Sequence, residues 1–558
     1  MPDLMMTRER VRKRVASMRQ ERESFISHYK DLSQFVSPRR GRFYMTDHNR
    51  GSKQWGYIIN SQATLALRRA TAGLFTGTMS PSRPWHWLKP ASDPGLAEYG
   101  PVKEWIYFVL KQQRDIFRQS NLYTMAPTML KELLLYGTGC MAHEDDDRTM
   151  ARFYTETVGS YMIGQDHTYR VNTVIREKQM TAEQIVRRFS NPDGRIGDNI
   201  SLSVRTAWDR GNYDKYFDVV HYVGPNPAYK EGSPLKDRKL YKSCYYEPGN
   251  RNKFLSEGGF DVFPFYCPRW EVTGEDVYAT SCPGMEGLAD VRGLQSQEKV
   301  KAKATAKMAD PPLHGPPSLK NVPINAVPGS NITYQADQQH SLRPIYQVDP
   351  KVDQLVADIQ RTEQRLNEVF FVDLFQAITQ MEGVQPRNER ELLYRNQEAL
   401  LQLGPALQRL HDDFFEQLVE RTFMQQLRAG TLPPPPEELV NEEQDLDLEI
   451  QFVSALAMAQ QQVAVGNIER VAGFTGQLAQ MGFETALDKF DADQAVDLFA
   501  DMTGTPPEVV RSDDAVAEIR EQRAEQQEEA RQAELQAQQA QTDQHDAQAQ
   551  AALANAGA

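Results

Sequence analysis

The stretch from Ala70 to Leu88, ATAGLFTGTMSPSRPWHWL, constrains the fold more tightly than any other part of the chain. Its first half, Ala70-Thr-Ala-Gly-Leu-Phe75, continues a helix that begins near Ile58. Pro81 and Pro84 cannot continue it, because each fixes φ and lacks a backbone donor. Trp85 and Trp87 follow that stiff turn immediately and demand a large packing surface. The stretch holds no nucleophile–base pair and no phosphate loop. It is architecture, and the same bias runs along the whole chain.

A chain of 558 residues supports several structural units and a sizeable core. Hydrophobic residues make up 40% of it, as in soluble globular proteins. The mean hydropathy of −0.60 is nevertheless low, so part of the chain is polar without being core. Cys140, Cys244, Cys267 and Cys282 show no C-x-x-C spacing, which implies reduced thiols, no disulfide frame and no zinc site. The N-terminal MPDLMMTRERVRKR lacks an apolar run, against a secretory leader. No segment has the apolar length of a membrane span. A net charge of −13 argues against a simple nucleic-acid coat but leaves local basic faces open.

Helical spacing of Val11, Val15, Met18, Phe25, Tyr29 and Leu32 predicts a helix over Met5–Val36. Its start is basic, with Arg8, Arg10, Arg12, Lys13 and Arg14, either as a solvated face or as a contact for nucleic acid or an acidic partner. A loop over Pro38–Ser52 precedes helices at Ile58–Phe75, Val102–Gln119 and Ala126–Tyr136. A β-rich region opens at Gly137, with strands expected at Arg152–Val158, Thr168–Glu177, Tyr216–Val223, Lys239–Tyr246 and Val262–Arg269. Thr181-Ala-Glu-Gln184 is a capping box for a short helix to Phe189, and Asn191-Pro-Asp-Gly194 is a turn. Two long helices, Gly287–Ala309 and Val352–Thr379, flank a Pro- and Gly-rich insertion that opens at Pro311-Pro312. A break at Met381–Pro386 separates the second from a helix over Asn388–Phe423, perturbed at Gly404-Pro405. Pro433–Pro436 is a hard stop. A mostly helical unit is expected over Glu437–Pro507.

From Arg511 the composition collapses to Gln, Ala, Glu and Asp. Heptad steps from Val516 through Ile519, Arg523, Gln526, Ala530, Ala533 and Ala537 trace a weak seam. Two states stay open for this tail, a helical barrel held by many copies and a disordered, solvated segment.

Chemistry is sparse. His143-Glu-Asp-Asp-Asp147 is the densest ligand-like cluster, but it lacks a second set of carboxylates and a Gly at EF-hand spacing, so a solvated turn is the expectation. Gly137-Thr-Gly139 lacks the Lys and Ser/Thr of a P-loop. Ser160 and Ser281 sit in no nucleophile elbow. Cys282, ahead of Pro283-Gly284, is read as buried packing. Lys299, Lys303 and Lys307 stand at i, i+4 and i+8 on the first long helix and form one basic stripe, with Lys301 off that face.

Four segments carry a family likeness. They are Ala72 to Trp85, Ala302 to Leu313 with its Asp310-Pro311-Pro312, Glu389 to Leu410 with Gly404-Pro405, and Arg421-Thr-Phe423 followed by LRAGTLPPPP over Leu427–Pro436. Their order and spacing, over roughly Glu9 to Leu439, resemble the portal proteins of short-tailed, podovirus-type bacteriophages, the head-to-tail connectors.

The resemblance implies an α+β, predominantly helical subunit with wing, stem, clip and crown, and a C-terminal tail that is a helical barrel or disordered. The implied parts are a wing over 1–286, a first stem helix over 287–309, a clip over 310–350 and a second stem helix over 351–379. A tunnel loop over 380–387, a helical return over 388–436, a crown over 437–510 and the tail over 511–558 complete it. Lys299, Lys303, Lys307, Gln380, Gln385 and Arg387 would face DNA. Pro311, Pro312, Leu313 and His314 would meet terminase and the tail adaptor. Gly73, Gly77, Pro81, Arg83, Pro84, Trp85 and Trp87 would form a structural anchor in the wing.

The implied partners are further copies of the chain in a ring, typically a dodecamer, with double-stranded DNA bound without sequence specificity. Terminase, the major capsid or scaffolding protein and a tail adaptor complete the set, with no membrane and no cofactor. Such a ring would sit at the capsid portal vertex after assembly in the host cytoplasm. Twelve helices about 10 Å across, side by side, leave an opening of about 28 Å, enough for a duplex. An acidic tube would let DNA slide past local lysine rings. Two other classes stay open on the residues, a metal-dependent enzyme using His143–Asp147 and a monomeric helical scaffold without a channel.

Overall fold

The computed structural model describes residues 7–43, 56–309, 313–314, 343–344, 352–380, 397–439, 448–452, 471–478, 481, 489–496, 516–528 and 531–532, less short interruptions at 40, 83, 91–95, 97–98, 192–194 and 251–252. The chain divides into two compact units. One comprises residues 1–83 and 113–426, the other residues 84–112 and 427–558.

The chain begins with α1 (Arg8–Val36), whose N-cap Thr7 accepts a hydrogen bond from Arg10 N. Val11, Val15, Met18, Tyr29 and Leu32 are buried along one face, as their spacing predicts, but Ile26 takes the place expected for Phe25, which is only half-buried, and Val36 extends the face. Next, α2 (Gln62–Met79) starts later than Ile58 and runs past Phe75, through Gly77. It ends where Ser80 turns extended, at ψ 133°, because the residue before a proline avoids the helical region. The short strand β1 (His86–Pro90) follows, then α3 (Gly100–Gln119) and α4 (Leu122–Tyr136). Gly137 closes α4 at φ 78°, with its N–H bonded to Leu133 O, a left-handed cap that suits glycine.

The sheet region of the first unit holds two antiparallel sheets. One runs in the order β3-β2-β9, built from β2 (Met141–Asp146), β3 (Met150–Thr155) and the two-residue β9 (Phe265–Tyr266). The other is a meander of β4 (Tyr161–Gln165), β5 (Val171–Thr181), β6 (Tyr216–Pro225), β7 (Tyr241–Tyr246) and β8 (Ser256–Phe260). The strand expected over Val262–Arg269 shrinks to β9 because Pro264 and Pro268 bracket it and cannot donate to a ladder.

Thr181 ends β5 and caps α5 (Ala182–Phe189) in the expected capping box. Helix α6 (Leu202–Asp209), which the sequence reading lacked, joins α5 over a core with Val219 and Leu255. Val11, Val15 and Met18 of α1 close another core against Met162, Ile175, Val220, Tyr222 and Tyr246. Residues 192–194 of the expected turn lie outside the described residues.

Arg176 on β5 ties the two sheets together. It donates to Glu156 at 3.1 Å, Glu144 at 2.9 Å and the Tyr245 hydroxyl at 3.2 Å, and meets His221 Nδ1 at 2.7 Å. Lys178 adds a contact of 2.7 Å to Glu156. Each buried charge therefore has a counter-charge, which is the condition for burying it at all.

After α7 (Pro283–Glu286) come the long α8 (Leu288–Ala309), the antiparallel pair β10 (Leu313–His314) and β11 (Arg343–Pro344), then α9 (Val352–Val369) and α10 (Val372–Gln380). The second long helix of the sequence reading is thus two helices. Phe371 breaks it at φ 53° and sits in the left-handed region without being glycine. Helices α11 (Gln397–Leu410) and α12 (Glu416–Ala429) are joined by a wide π turn over His411–Phe415. The perturbation expected at Gly404-Pro405 falls instead at this turn, which buries the consecutive Phe414 and Phe415 together. Helix α11 itself carries Pro405 within it.

In the second unit, β1 pairs with β12 (Leu448–Phe452), from His86 opposite Phe452 to Pro90 opposite Leu448. The region expected to be mostly helical therefore contributes a strand. Trp105 on α3 donates to Pro433 O at 3.0 Å, and Gln112 donates to Thr431 O at 3.2 Å, so α3 holds the first proline of the run and the segment leading into it. In the tail, residues 516–528 are helical, and Arg520 grips Asp493 with two bonds of 2.7 Å.

Candidate DNA-channel helix and its anchor

Helix α8 changes character along its length. Leu288, Val291, Leu294 and Gln295 are buried, but from Ser296 to Ala309 no residue is. Lys299, Lys303 and Lys307 are exposed and lie on one face, as their spacing predicts, and Lys301 turns aside to pair with Glu298 at 2.6 Å. Val300 and Met308, about half exposed at 54% and 50%, lie on the same naked half. An isolated helix with that pattern shows both charge and apolar surface to water.

The first half of α8 is fastened by a polar lock that the sequence reading missed. Gln295 Oε1 accepts from Ile59 N at 2.6 Å and Asn60 N at 2.9 Å, while its Nε2 donates to Asn60 O at 2.8 Å. Asn60 Nδ2 donates to Glu298 on α8 at 3.1 Å and to Glu363 on α9 at 2.8 Å. Asn60 Oδ1 accepts from Gln62 N at 2.8 Å, at the start of α2. One asparagine thereby joins the segment ahead of α2 to both long helices. The available signal was Gln295 itself, a polar residue on the apolar face that Leu288, Val291 and Leu294 set.

Helices α8 and α9 pack together, with Ile359, Thr362 and Leu366 of α9 buried at helical spacing. Arg365 reaches Asp290 at 2.9 Å across the pair. The insertion between them is closed at its base by the β10–β11 pair, with Leu313 opposite Pro344 and His314 opposite Arg343. Pro311 and Pro312 lie outside the described residues, and so do Gln385 and Arg387. Gln380 is the last residue of α10.

The anchor divides in two. Gly73 and Gly77 are buried on α2 in the first unit. A Cβ on Gly73 would fall 2.2 Å from Phe375 Cβ, so only glycine permits this approach of α2 and α10. Pro84, Trp85 and Trp87 belong to the second unit, and the boundary falls at Arg83, itself outside the described residues. Trp85 is buried, but Trp87 is only half-buried, because the alternation of β1 turns His86, Leu88 and Pro90 inward. Pro81 is exposed at the turn.

The acidic cluster is not a solvated turn throughout. His143, Glu144, Asp145 and Asp146 lie on β2, whose alternation sends them apart. His143 is fully buried, 2.6 Å from the Tyr266 hydroxyl, and burial followed by the Arg421 charge holds its pKa well below the ordinary histidine value. Glu144 goes to Arg176, and Asp145 faces Arg421 at 3.5 Å. Asp146 accepts from Thr149 N and Oγ1 in the turn. Among the described residues no group of three or more His, Cys, Asp or Glu is placed to hold a metal. Nor is any described helix long and apolar enough to cross a membrane.

A mixed helix-and-sheet subunit whose long helix leaves charged and apolar residues exposed over half its length has the character of an assembly component. Over residues 8–510 the chain matches the family model for the bacteriophage head to tail connecting protein. It is 39% identical to the portal protein of Salmonella phage epsilon15 over 94% of this chain and 92% of that one. It is 38% identical to the probable portal protein of Bordetella phage BPP-1, over 93% and 91% of the two chains. The chain belongs to the head-to-tail connecting proteins of bacteriophages, and its function is that of a phage portal. Genome packaging and ejection follow from that function.

Proposed function

We propose that about twelve copies close into a ring at one capsid vertex, with α8 and residues 351–379, which hold α9 and most of α10, as the stem around a channel for duplex DNA. The naked half of α8 carries this reading. Neighbouring copies would cover Val300 and Met308, and Lys299, Lys303 and Lys307 would then stack as rings of positive charge toward phosphates. Phosphate contacts carry no sequence information, so the rings would ease the passage of any genome. The chain as a whole, net −13, would keep DNA from sticking.

In the same reading residues 1–286 form the wing, 310–350 the clip, 380–387 the tunnel loop, 388–436 the helical return and 437–510 the crown. Pro311, Pro312, Leu313 and His314 would meet terminase during packaging and the tail adaptor afterwards, while Gln380, Gln385 and Arg387 would line the channel. Capsid or scaffolding protein would hold the wing. Residues 511–558 would extend as an accessory barrel. The chain would be structural and free of cofactors, with ATP hydrolysis supplied by terminase. A reconstruction of the assembled ring tests the carrying observation. Lysines 299, 303 and 307 on the lumen support it, and lysines turned into the subunit interfaces overturn it.

A further inference from the structure

We propose that Cys140 and Cys267 are a disulfide-forming pair that closes when the protein meets an oxidising environment. The two sulfurs lie 3.7 Å apart, both side chains are buried, and both thiols are free. Their placement follows from the ladder around them. Met141 is opposite Tyr266 and Ala142 opposite Phe265, and on the other side Thr138 bridges Arg269. Cys140 therefore stands directly opposite Cys267. Gly139 N bonds to Pro268 O and Trp270 N to Gly137 O, which fixes the hydrogen-bonded pairs at alternate positions. The cysteine pair falls between them, at a non-hydrogen-bonded position where side chains of neighbouring antiparallel strands come closest. Within this geometry a sulfur–sulfur bond needs side-chain rotation and little backbone movement.

The other two cysteines do not share the arrangement. Cys244 lies on β7, and Cys282 directs its sulfur to Leu135 O at 3.4 Å. The link would join positions 127 residues apart, enclosing β3 and the whole five-stranded sheet. Stabilisation by a crosslink grows with the loop it closes, so this one would act on the entire sheet region. Reduced thiols suit assembly inside a cell, and the released particle, on the portal reading, leaves that reducing pool.

With oxidised glutathione as the oxidant the chemistry balances. The Cys267 thiolate attacks one glutathione sulfur, forming a mixed disulfide and releasing one glutathione thiolate. The Cys140 thiolate then attacks the Cys267 sulfur and expels the second. Two protein thiols lose two protons and two electrons, and one glutathione disulfide becomes two glutathione thiols.

The test incubates the native full-length protein with oxidised glutathione, blocks residual thiols under denaturing conditions and maps the peptides. The expected result is a linked peptide pair containing Cys140 and Cys267, no retained glutathione, and a raised unfolding temperature that dithiothreitol reverses. Cys140→Ala and Cys267→Ala should each abolish the rise. If either variant fails to assemble, the wild-type peptide map still decides. Both residues remaining blockable thiols after full exposure, a stable glutathione adduct at Cys267, or pairing with Cys244 or Cys282 would each overturn the proposal. None of these results depends on ring formation, so they leave the portal reading separately testable.

Discussion

Gly73 on α2 lies flat against Phe375 on α10, so close that a methyl at Gly73 would meet Phe375 Cβ at 2.2 Å and Cγ at 2.7 Å. The contact joins the glycine-rich end of α2 to the short helix beyond the break at Phe371. Overpacking a buried site of this kind costs about 1–3 kcal/mol. Gly73→Ala is therefore expected to lower the urea midpoint without changing far-ultraviolet helicity, and Gly73→Val to lower it further. An unchanged midpoint in Gly73→Val would show that the two helices separate freely.

Asn60 uses its carbonyl and its amide at once, toward Gln62, Glu298 and Glu363. Asn60→Leu removes this amide from Glu363 and from Glu298, which keeps Lys301, and is expected to destabilise by about 1–3 kcal/mol. Amide exchange would read the change directly, with faster exchange along the first turns of α2 and unchanged protection in β5 and β6. Equal protection of α2 in both proteins contradicts the lock.

The lysine stripe makes a salt-dependent prediction. Replacing Lys299, Lys303 and Lys307 with Gln is expected to keep the assembled mass and weaken duplex binding. The slope of log affinity against log salt should fall by about 0.9 for each phosphate that a lysine no longer neutralises. An unchanged slope would place the stripe away from DNA.

Acid should destabilise the folded chain. Burial, then Arg176, Lys178 and Arg188, hold His221 well below the ordinary histidine value, and burial and Arg421 do the same to His143. His411 is lowered to about 4 by burial, opposed by Asp412. All three stay neutral in the folded chain while the unfolded chain takes up protons below about pH 6.5. Stability is therefore full above that pH and falls as pH drops toward 4, by up to about 1.4 kcal/mol per pH unit for each histidine. Burial pushes the Glu156 carboxyl up, yet Lys178 and Arg176 outweigh it and hold it below its ordinary value, so its contribution is lost only at still lower pH. Unfolding temperatures measured from pH 7.5 to 5 should fall for the wild type, and less steeply for His411→Gln. A flat wild-type profile contradicts the neutral buried histidines.

The end of α2 was legible in the sequence, because Pro81 drives the residue before it out of the helical region. The capping box at Thr181 and Gln184 was legible for the same local reason. The break at Phe371 was not, since Val369-Phe-Phe-Val372 contains no helix breaker and the left-handed residue is held by its surroundings. The pairing of β1 with β12 was hidden too. A five-residue strand finds a partner hundreds of positions away through backbone bonds, which leave little trace in composition. Of the candidate channel residues, the lysine stripe followed from helical geometry, whereas the lock of Asn60 and Gln295 depends on which segments meet.

The mass of the assembled protein bears most directly on the account. A chain of 63.6 kDa that forms a portal ring should give, by native mass spectrometry under assembly conditions, one closed species of about twelve chains. A stable monomer under every assembly condition would contradict the ring and leave the naked half of α8 without a cover.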